Sequence, residues 1–329
     1  MKTENLQYLL NKYRSVSALR AITVELTDRC NLKCIHCLRN KDSFELSLRD
    51  IERIAADAEK LGAFEVTITG GEPTMHPDFF DVLDVFKKRK FKITLFTNAM
   101  GLNKDTIKQL AQYEIEQIHI SFYSLNSTVF DFITRVPGSF ALVRRNLSLL
   151  RELKQTVILK TVVMEQNYKE LPDIEKYAEQ MGMDWSYNYM IFPRNNGDTD
   201  VFKYRVSTEH LKYLRDLGYK SYLTKKRNNK ELYICNAGIT IADIAADGSV
   251  YPCIALRMNA GNIHSDSLIN IWNNSDKLNY LRNLKPKDYK CYGCEHIGYC
   301  NRCPGLSYAE TGDLLGKPKE ICRLTNALL

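Results

Sequence analysis

Residues 30–37 read C-N-L-K-C-I-H-C, and the seven residues before them, 23–29, read T-V-E-L-T-D-R. The β-branched and apolar positions of that approach suit a strand, and the cysteines begin just beyond its end. The spacing C-x3-C-x2-C lets one tight loop aim Cys30, Cys34 and Cys37 at a single point. Three thiolates hold three irons of a four-iron cube and leave the fourth without a protein ligand. An open iron can bind a substrate or cosubstrate directly, which a fully ligated electron-transfer cluster cannot do.

The rest of the chain narrows the chemistry. Its 329 residues provide for one large domain, or a large one with a smaller one, and 44% hydrophobic and 26% charged residues are ordinary for a globular protein. No apolar run is long enough to span a bilayer, and M-K-T-E-N-L-Q-Y-L-L-N-K-Y-R at the N-terminus lacks a signal-peptide core, so the reading is a cytoplasmic protein without membrane partners. In a reducing compartment ten cysteines serve as metal ligands or catalytic groups rather than disulfides. The net charge of +7 is dispersed. Its densest stretch, Lys225, Lys226, Arg227 and Lys230, reads as a solvated helix end or loop, with an acidic-peptide docking site as the alternative, and no aromatic-and-basic motif points to nucleic acid.

Strand patterns recur at Ala21–Leu26, Phe64–Thr69, Ile93–Thr97, Gln117–Phe122, Val157–Val163 and Trp185–Ile191. Between the first two, Ser47 and Asp50 form a capping pair, and Leu48, Ile51, Ile54, Ala55, Ala58 and Leu61 share one helical face that Gly62 ends. Helical patterns also run over Phe79–Arg89, Thr106–Tyr113, Phe140–Lys154 and Leu171–Met181. Six strands alternating with helices imply parallel β/α units, with reactive groups on the loops after the strand ends. The pattern stops near residue 192, which favours an incomplete (β/α)6 TIM-like barrel. The turn-like run P193-R-N-N-G-D-T-D marks a boundary, and a helical bridge from about Thr208 to Leu223 follows. The expected division is a helical segment over 1–18, the barrel over 19–200, the bridge over 201–232 and a cysteine-rich domain over 233–329.

At the end of the second strand stands V-T-I-T-G70-G71-E72-P73. The two glycines allow a close backbone approach to a ligand, and Glu72 offers an acceptor to an ammonium group. With the cysteine triplet, this strand end resembles the radical S-adenosylmethionine (SAM) superfamily. The resemblance implies a [4Fe–4S] cluster on Cys30, Cys34 and Cys37, and SAM against Gly70, Gly71, Glu72 and Pro73. The open iron would chelate the methionine end of SAM, and one electron would cleave its C–S bond to give a 5′-deoxyadenosyl radical. His36 stands where the family places an aromatic near adenine, or else is a spacer. F96-T97-N98 is similar to the family's T-N-G strand end, with Ala99 in place of glycine, and S121-F122-Y123-S124 to its I-S-I-D-G, with Tyr123 in place of Asp. Asn98 and Ser121 join the implied SAM contacts. His76 reads as a loop-ordering residue. Tyr123, Asn188, Tyr189 and Arg194 lie near strand ends without an assignable role.

Seven cysteines occupy the last 95 residues: Cys235 and Cys253 around Gly248, the knot C291-x2-C294-x5-C300-x2-C303, and Cys322. Alone, paired C-x2-C motifs suit tetrahedral zinc. Beside the first motif the order resembles the SPASM domain, which carries two auxiliary [4Fe–4S] clusters, making three in all. By that resemblance Cys291, Cys294, Cys300 and Cys322 hold the outer cluster, and Cys235, Cys253 and Cys303 the inner one. The knot ends in C-x2-C rather than C-x3-C, and no eighth cysteine precedes Cys235, so an open iron on the inner cluster is an expectation to test. All ten cysteines are then used, which leaves no thiol for an epimerase that quenches a carbon radical. Where sulfatase-maturing relatives carry an acidic base after the cysteine corresponding to Cys253, this chain has Ile254.

The expectation is a radical SAM/SPASM oxidoreductase. It would abstract hydrogen from a substrate C–H and complete a two-electron oxidation, such as a cross-link, thioether or dehydrogenation. A ribosomally made peptide is the expected substrate, and flavodoxin or ferredoxin the electron donor. Only 29 residues precede Cys30, too few for a leader-binding domain, so a separate leader-binding partner or a small substrate is expected. The alternatives are a dehydrogenase of a sugar or aminocyclitol alcohol and, in a different class, a non-catalytic zinc protein.

Overall fold

The computed structural model describes residue 8 and residues 11–39, 42–152, 155–220 and 235–329. Six strands, β1 (Ala21–Glu25), β2 (Glu65–Thr69), β3 (Lys92–Thr97), β4 (Gln117–Ser121), β5 (Val157–Val162) and β6 (Asp184–Asn188), lie side by side in chain order, every neighbouring pair parallel. This is the expected incomplete barrel, each strand within a few residues of its sequence pattern.

Alternate residues divide each strand between two faces. Ile22 and Val24 on β1, Val66 and Ile68 on β2, and Ile93 and Leu95 on β3 are buried with Ile51, Ile54 and Ala55 of α1 (Leu48–Lys60) and Val82 and Phe86 of α2 (Phe79–Lys88) in one core. Helix α1 starts as its sequence requires: Ser47 accepts the Asp50 N–H, and Asp50 reaches back to the Ser47 N–H. The opposite face turns polar Thr23, Glu25, Thr67, Thr69, His119 and Lys160 away from that core. Helices α3 (Lys104–Leu110), α5 (Ser139–Arg151) and α6 (Leu171–Met181) complete the outer layer near their expected positions.

Two features depart from the expected pattern. A further helix, α4 (Ser127–Thr134), capped by the Asn126 side chain, stands between β4 and α5. And the sheet does not end at β1. Strand β7 (Ile241–Ile244) pairs parallel to β1, setting Asp243 beside Thr23, and β8 (Ser249–Tyr251) and β9 (Gly261–Asn262) continue antiparallel. The cysteine-rich portion thus grows out of the barrel's own edge.

Helix α7 (Thr208–Asp216) fills the described part of the bridge and packs on the C-terminal helix α11 (Lys319–Leu328). Helices α8 (Leu268–Asn274), α9 (Asp276–Asn283) and α10 (Pro304–Thr311) complete the chain. The remainder of the expected bridge, its basic stretch at Lys225–Lys230, and most of the expected N-terminal segment lie outside the described residues; residues 11–15 are helical. Among the described residues no helix is long and apolar enough to cross a membrane.

Candidate active site

The cysteine loop is held from two sides by backbone hydrogen bonds. Gly71 N–H donates to Thr27 O at 2.6 Å, Glu72 N–H to Arg29 O at 2.8 Å, and Leu26 N–H to Thr69 O at 2.9 Å, binding the β2 end to the loop after β1. From the other side the last carbonyls of α4 receive the loop: Lys33 N–H donates to Thr134 O and Ile35 N–H to Ile133 O, both at 2.9 Å. The glycine pair is explained here. A Cβ on Gly71 would overlap the Arg29 carbonyl, and one on Gly70 would stand 2.6 Å from Thr27 O, at a φ of +149° that L side chains avoid. The close approach these glycines allow in the protein is to the cysteine loop itself.

Glu72 is fully buried. Its carboxylate accepts from Thr74 N–H (3.3 Å), Thr74 Oγ (2.6 Å), Thr97 Oγ (2.6 Å) and Asn98 N–H (2.8 Å). Burial pushes its pKa up and these donors pull it back. The sequence suggested an acceptor for an ammonium group; the structure adds a buried pin between the ends of β2 and β3. Pro73 follows, opening a short 3₁₀ turn. Asn98 extends the pin: its Nδ2 donates to Asn31 Oδ1 at 2.7 Å and lies 3.7 Å from Cys30 Sγ. Ala99, standing where the family's glycine would be, adopts the left-handed conformation at φ +57°. His76 is buried, its Nε2 2.8 Å from Leu46 O and its Nδ1 accepting from Asp78 N–H, so it orders its loop.

Desolvation, the Glu72 carboxylate and the Cys37 thiol push Cys30 up to about 11, and burial with the Cys37 and Cys30 thiols pushes Cys34 further still. The His36 ring meets buried Tyr123 edge-on, centroids 5.0 Å apart, its pKa lowered by burial to about 4. Ser121, at the end of β4, and Cys34 both lie within reach of the Tyr123 hydroxyl. Beside the triplet opens a cleft of about 730 Å³, where Arg29, Lys33, Arg39, Arg135 and Arg194 outnumber Asp28 and Asp42.

The run 193–200, read in the sequence as a boundary, lies between the triplet and the C-terminal region through its residues 194 and 195. Arg194 Nη1 donates to Cys37 O at 3.0 Å, Asn195 N–H to Leu38 O at 2.7 Å, and Arg257 Nε to Asn195 Oδ1 at 3.2 Å. Arg257 also bonds Glu25 Oε1 at 2.7 Å and Asp243 Oδ2 at 3.0 Å, while Arg39 pairs with Glu25 at 2.8 Å and with Asp28. This buried ionic network fastens the barrel to β7. Asn188 and Tyr189 are turned to other work: Asn188 Oδ1 accepts from Met190 N–H, and the buried Tyr189 hydroxyl donates to Tyr219 O.

The seven distal cysteines separate into two neighbourhoods. Cys253 is raised by burial and by Cys235 and Cys303. Cys300 is raised by burial and by Cys291, Cys322 and Cys294, and those four line a cavity of about 260 Å³. Among the described residues no three His, Cys, Asp or Glu side chains close on a point the size of one ion. Zinc with four thiolates needs all its sulfurs about 2.3 Å from one centre, whereas thiolates on the corners of a cube stand wider apart. Buried thiols raised in this way hold their protons in the bare chain, and only a cationic metal group offsets several thiolates so close together. The donor sets fit iron–sulfur clusters.

These features define a metal-dependent SAM enzyme class, and the comparisons agree. Residues 24–178 match the radical SAM superfamily and residues 235–304 the SPASM iron–sulfur cluster-binding domain. The chain belongs to the radical SAM superfamily, among members with a SPASM domain, and these two domains imply iron–sulfur clusters and SAM binding. Similar proteins include an AdoMet-dependent heme synthase of Methanosarcina barkeri, 24% identical over 91% of this chain and 95% of its own, and the mycofactocin maturase MftC of Mycobacterium tuberculosis, 27% identical over 87% and 78%. The fold is shared with Streptococcus suis SuiB bound to its precursor peptide SuiA, at a TM-score of 0.76 and 21% identity, covering 97% of this chain and 80% of that one.

Proposed function

We propose that the protein is a radical SAM/SPASM oxidoreductase that modifies a ribosomally made peptide at an unactivated C–H. The observation that carries this reading is a pair of cavities that share Arg194 and Asn196. The triplet borders the first, and Ile254, Ala255 and Gly305 border the second, of about 270 Å³. Ile254 and Ala255 directly follow Cys253, so the two cavities, meeting at Arg194 and Asn196, mark a path from the first cysteine group toward the inner distal one. An extended chain can lie along such a path, and the resemblance to a maturase supports it.

In this reading Cys30, Cys34 and Cys37 hold the SAM-binding cluster, Cys235, Cys253 and Cys303 the inner auxiliary cluster, and Cys291, Cys294, Cys300 and Cys322 the outer one. Bound together, SAM and its cluster supply the one-electron chemistry that opens a C–H bond. The chain's residues hold and shield the site. Glu72 and Asn98 fix the loop that presents Cys30, Gly70 and Gly71 bring β2 against it, His36 and Ser121 flank the place for SAM, and the arginines at the cleft mouth attract anionic groups. Flavodoxin or ferredoxin would be the electron donor, and a separate leader-binding protein the partner for the peptide.

A small-molecule substrate is the second reading, favoured by the heme synthase similarity across nearly the full length of both chains. The test is anaerobic reconstitution followed by iron counting, reduction with SAM, and turnover assays with candidate peptides, tetrapyrroles and sugar alcohols. About 12 irons per chain, from three four-iron clusters, and 5′-deoxyadenosine are expected, with a mass change on a peptide. A mass change only on a small molecule would select the second reading. Absence of 5′-deoxyadenosine from loaded protein with every substrate class present would defeat both.

A further inference from the structure

Among the described residues Arg302 is a buried cation with no anion bound to it. Its guanidinium stacks 3.4 Å from the ring centroid of Tyr289, and its Nη2 donates to Leu314 O at 2.8 Å and Gly316 O at 2.7 Å. Its Nε and Nη1 are buried without a hydrogen bond of good geometry, as is the Tyr289 hydroxyl. Among the described residues no carboxylate forms a salt bridge with it. Asp313, the acidic side chain within its electrostatic reach, is bound to Lys290 at 2.9 Å. Buried charges are paired or cost several kcal/mol, so a guanidinium held this firmly by two carbonyls and a ring points to a countercharge that the described residues do not provide.

The neighbours identify that countercharge. Arg302 lines the cavity bordered by Cys291, Cys294, Cys300 and Cys322, the four cysteines of the outer group. Stacked on Tyr289, the guanidinium is thereby held against the place where those four thiolates would carry their cluster. Thiolate-ligated clusters are anionic and become more so on reduction, and their potentials follow local charge and hydrogen bonding.

We propose that Arg302, fixed by Tyr289, is the built-in counterion of the outer auxiliary cluster and raises its reduction potential, making that site the better electron acceptor. The inference rests on the three-cluster reading above, and its test separates the two. Iron content and SAM cleavage report on that reading, while the potential of a loaded protein reports on Arg302.

The experiment is an EPR-monitored redox titration of anaerobically reconstituted protein, comparing wild type with Arg302→Gln and Arg302→Lys. The SAM-binding cluster is identified by its spectral response to added SAM. In Arg302→Gln one auxiliary couple should move to lower potential by about a tenfold change in its reduction equilibrium, 59 mV for one electron. Iron content and the SAM-responsive couple should stay as in wild type. Arg302→Lys, whose ammonium cannot stack on Tyr289 while bonding both carbonyls, should move the same couple the same way by less. Auxiliary couples unchanged in fully loaded Arg302→Gln would overturn the proposal. If that variant does not load, an unchanged auxiliary couple in loaded Arg302→Lys overturns it instead.

Discussion

The Asn98 backbone N–H donates to Glu72 Oε2 at 2.8 Å, and the Asn98 side chain stands 3.7 Å from Cys30 Sγ. A buried carboxylate on one strand end is thus one residue removed from a thiol on another. Replacing Glu72 by Ala strands buried donors on Thr74, Thr97 and Asn98, each costing about 1–3 kcal/mol if it finds no other partner. Glu72→Ala is expected to lower the stability of the metal-free protein by about 3 kcal/mol and to lose 5′-deoxyadenosine formation. Glu72→Gln, which keeps one acceptor oxygen, should lose less stability in the same urea titration.

Gly71→Ala tests the close approach directly. Its Cβ would meet backbone rather than a flexible side chain, so relief requires the cysteine loop to move. The expected result is protein that folds but binds about one third less iron, with the distal sites still loaded. Gly138→Ala is the control: its φ is also positive, at +79°, but open space surrounds it. It should lose a modest amount of stability and no iron.

Ala99 carries strain that the sequence hinted at, since the superfamily's strand end has glycine there. A left-handed alanine costs about 1 kcal/mol relative to glycine. Ala99→Gly should therefore raise the urea midpoint of the metal-free protein, partly offset by the greater chain entropy of glycine when unfolded. An unchanged or lower midpoint would contradict this account.

The barrel strands and α1 with its cap were legible because each rests on local signals: period-two burial and a capping pair three residues apart. What was not legible depends on distance along the chain. Helix α4 is only eight residues long and its role is to receive Lys33 and Ile35, a hundred residues upstream. The β1–β7 pairing and the Glu25–Arg257 bond join residues more than 200 apart. Gly70 and Gly71 were noticed for the right physical property, close backbone approach, which the structure shows directed at the cysteine loop. The run 193–200 looked like a boundary because it is polar and turn-rich, and the same composition suits the cleft wall that 193–197 form.

Arg257 should be the most sensitive of these distant contacts. It serves Glu25 and Asp243, both buried, and removing it leaves two carboxylates facing each other with Arg39 alone to offset them. Burial and Glu25 already push Asp243 well up. Arg257→Met is expected to cost about 3–5 kcal/mol, as for a buried pair losing one partner. Adding Asp243→Asn should restore part of that loss, since one uncompensated charge disappears. Full additivity of the two substitutions would show that the bond does not couple them.

The inner face of the sheet should register in the protein's response to acid. His119 stacks on Phe96 with centroids 4.7 Å apart, its Nε2 2.8 Å from Gln117 Oε1, and burial followed by the nearby Lys160 charge lowers its pKa to about 4. The unfolded chain titrates near the ordinary histidine value of about 6.5. Between these values the unfolded state binds the proton first. The contribution of His119 is therefore complete above about pH 6.5 and lost progressively as pH falls toward 4. In His119→Gln, which keeps a polar side chain but cannot titrate, the stability of the metal-free protein should fall less steeply across that window. Parallel curves for the two proteins from pH 7 to 4 would place the His119 proton equilibrium at its ordinary value, and with it the polarity assigned to this face of the barrel.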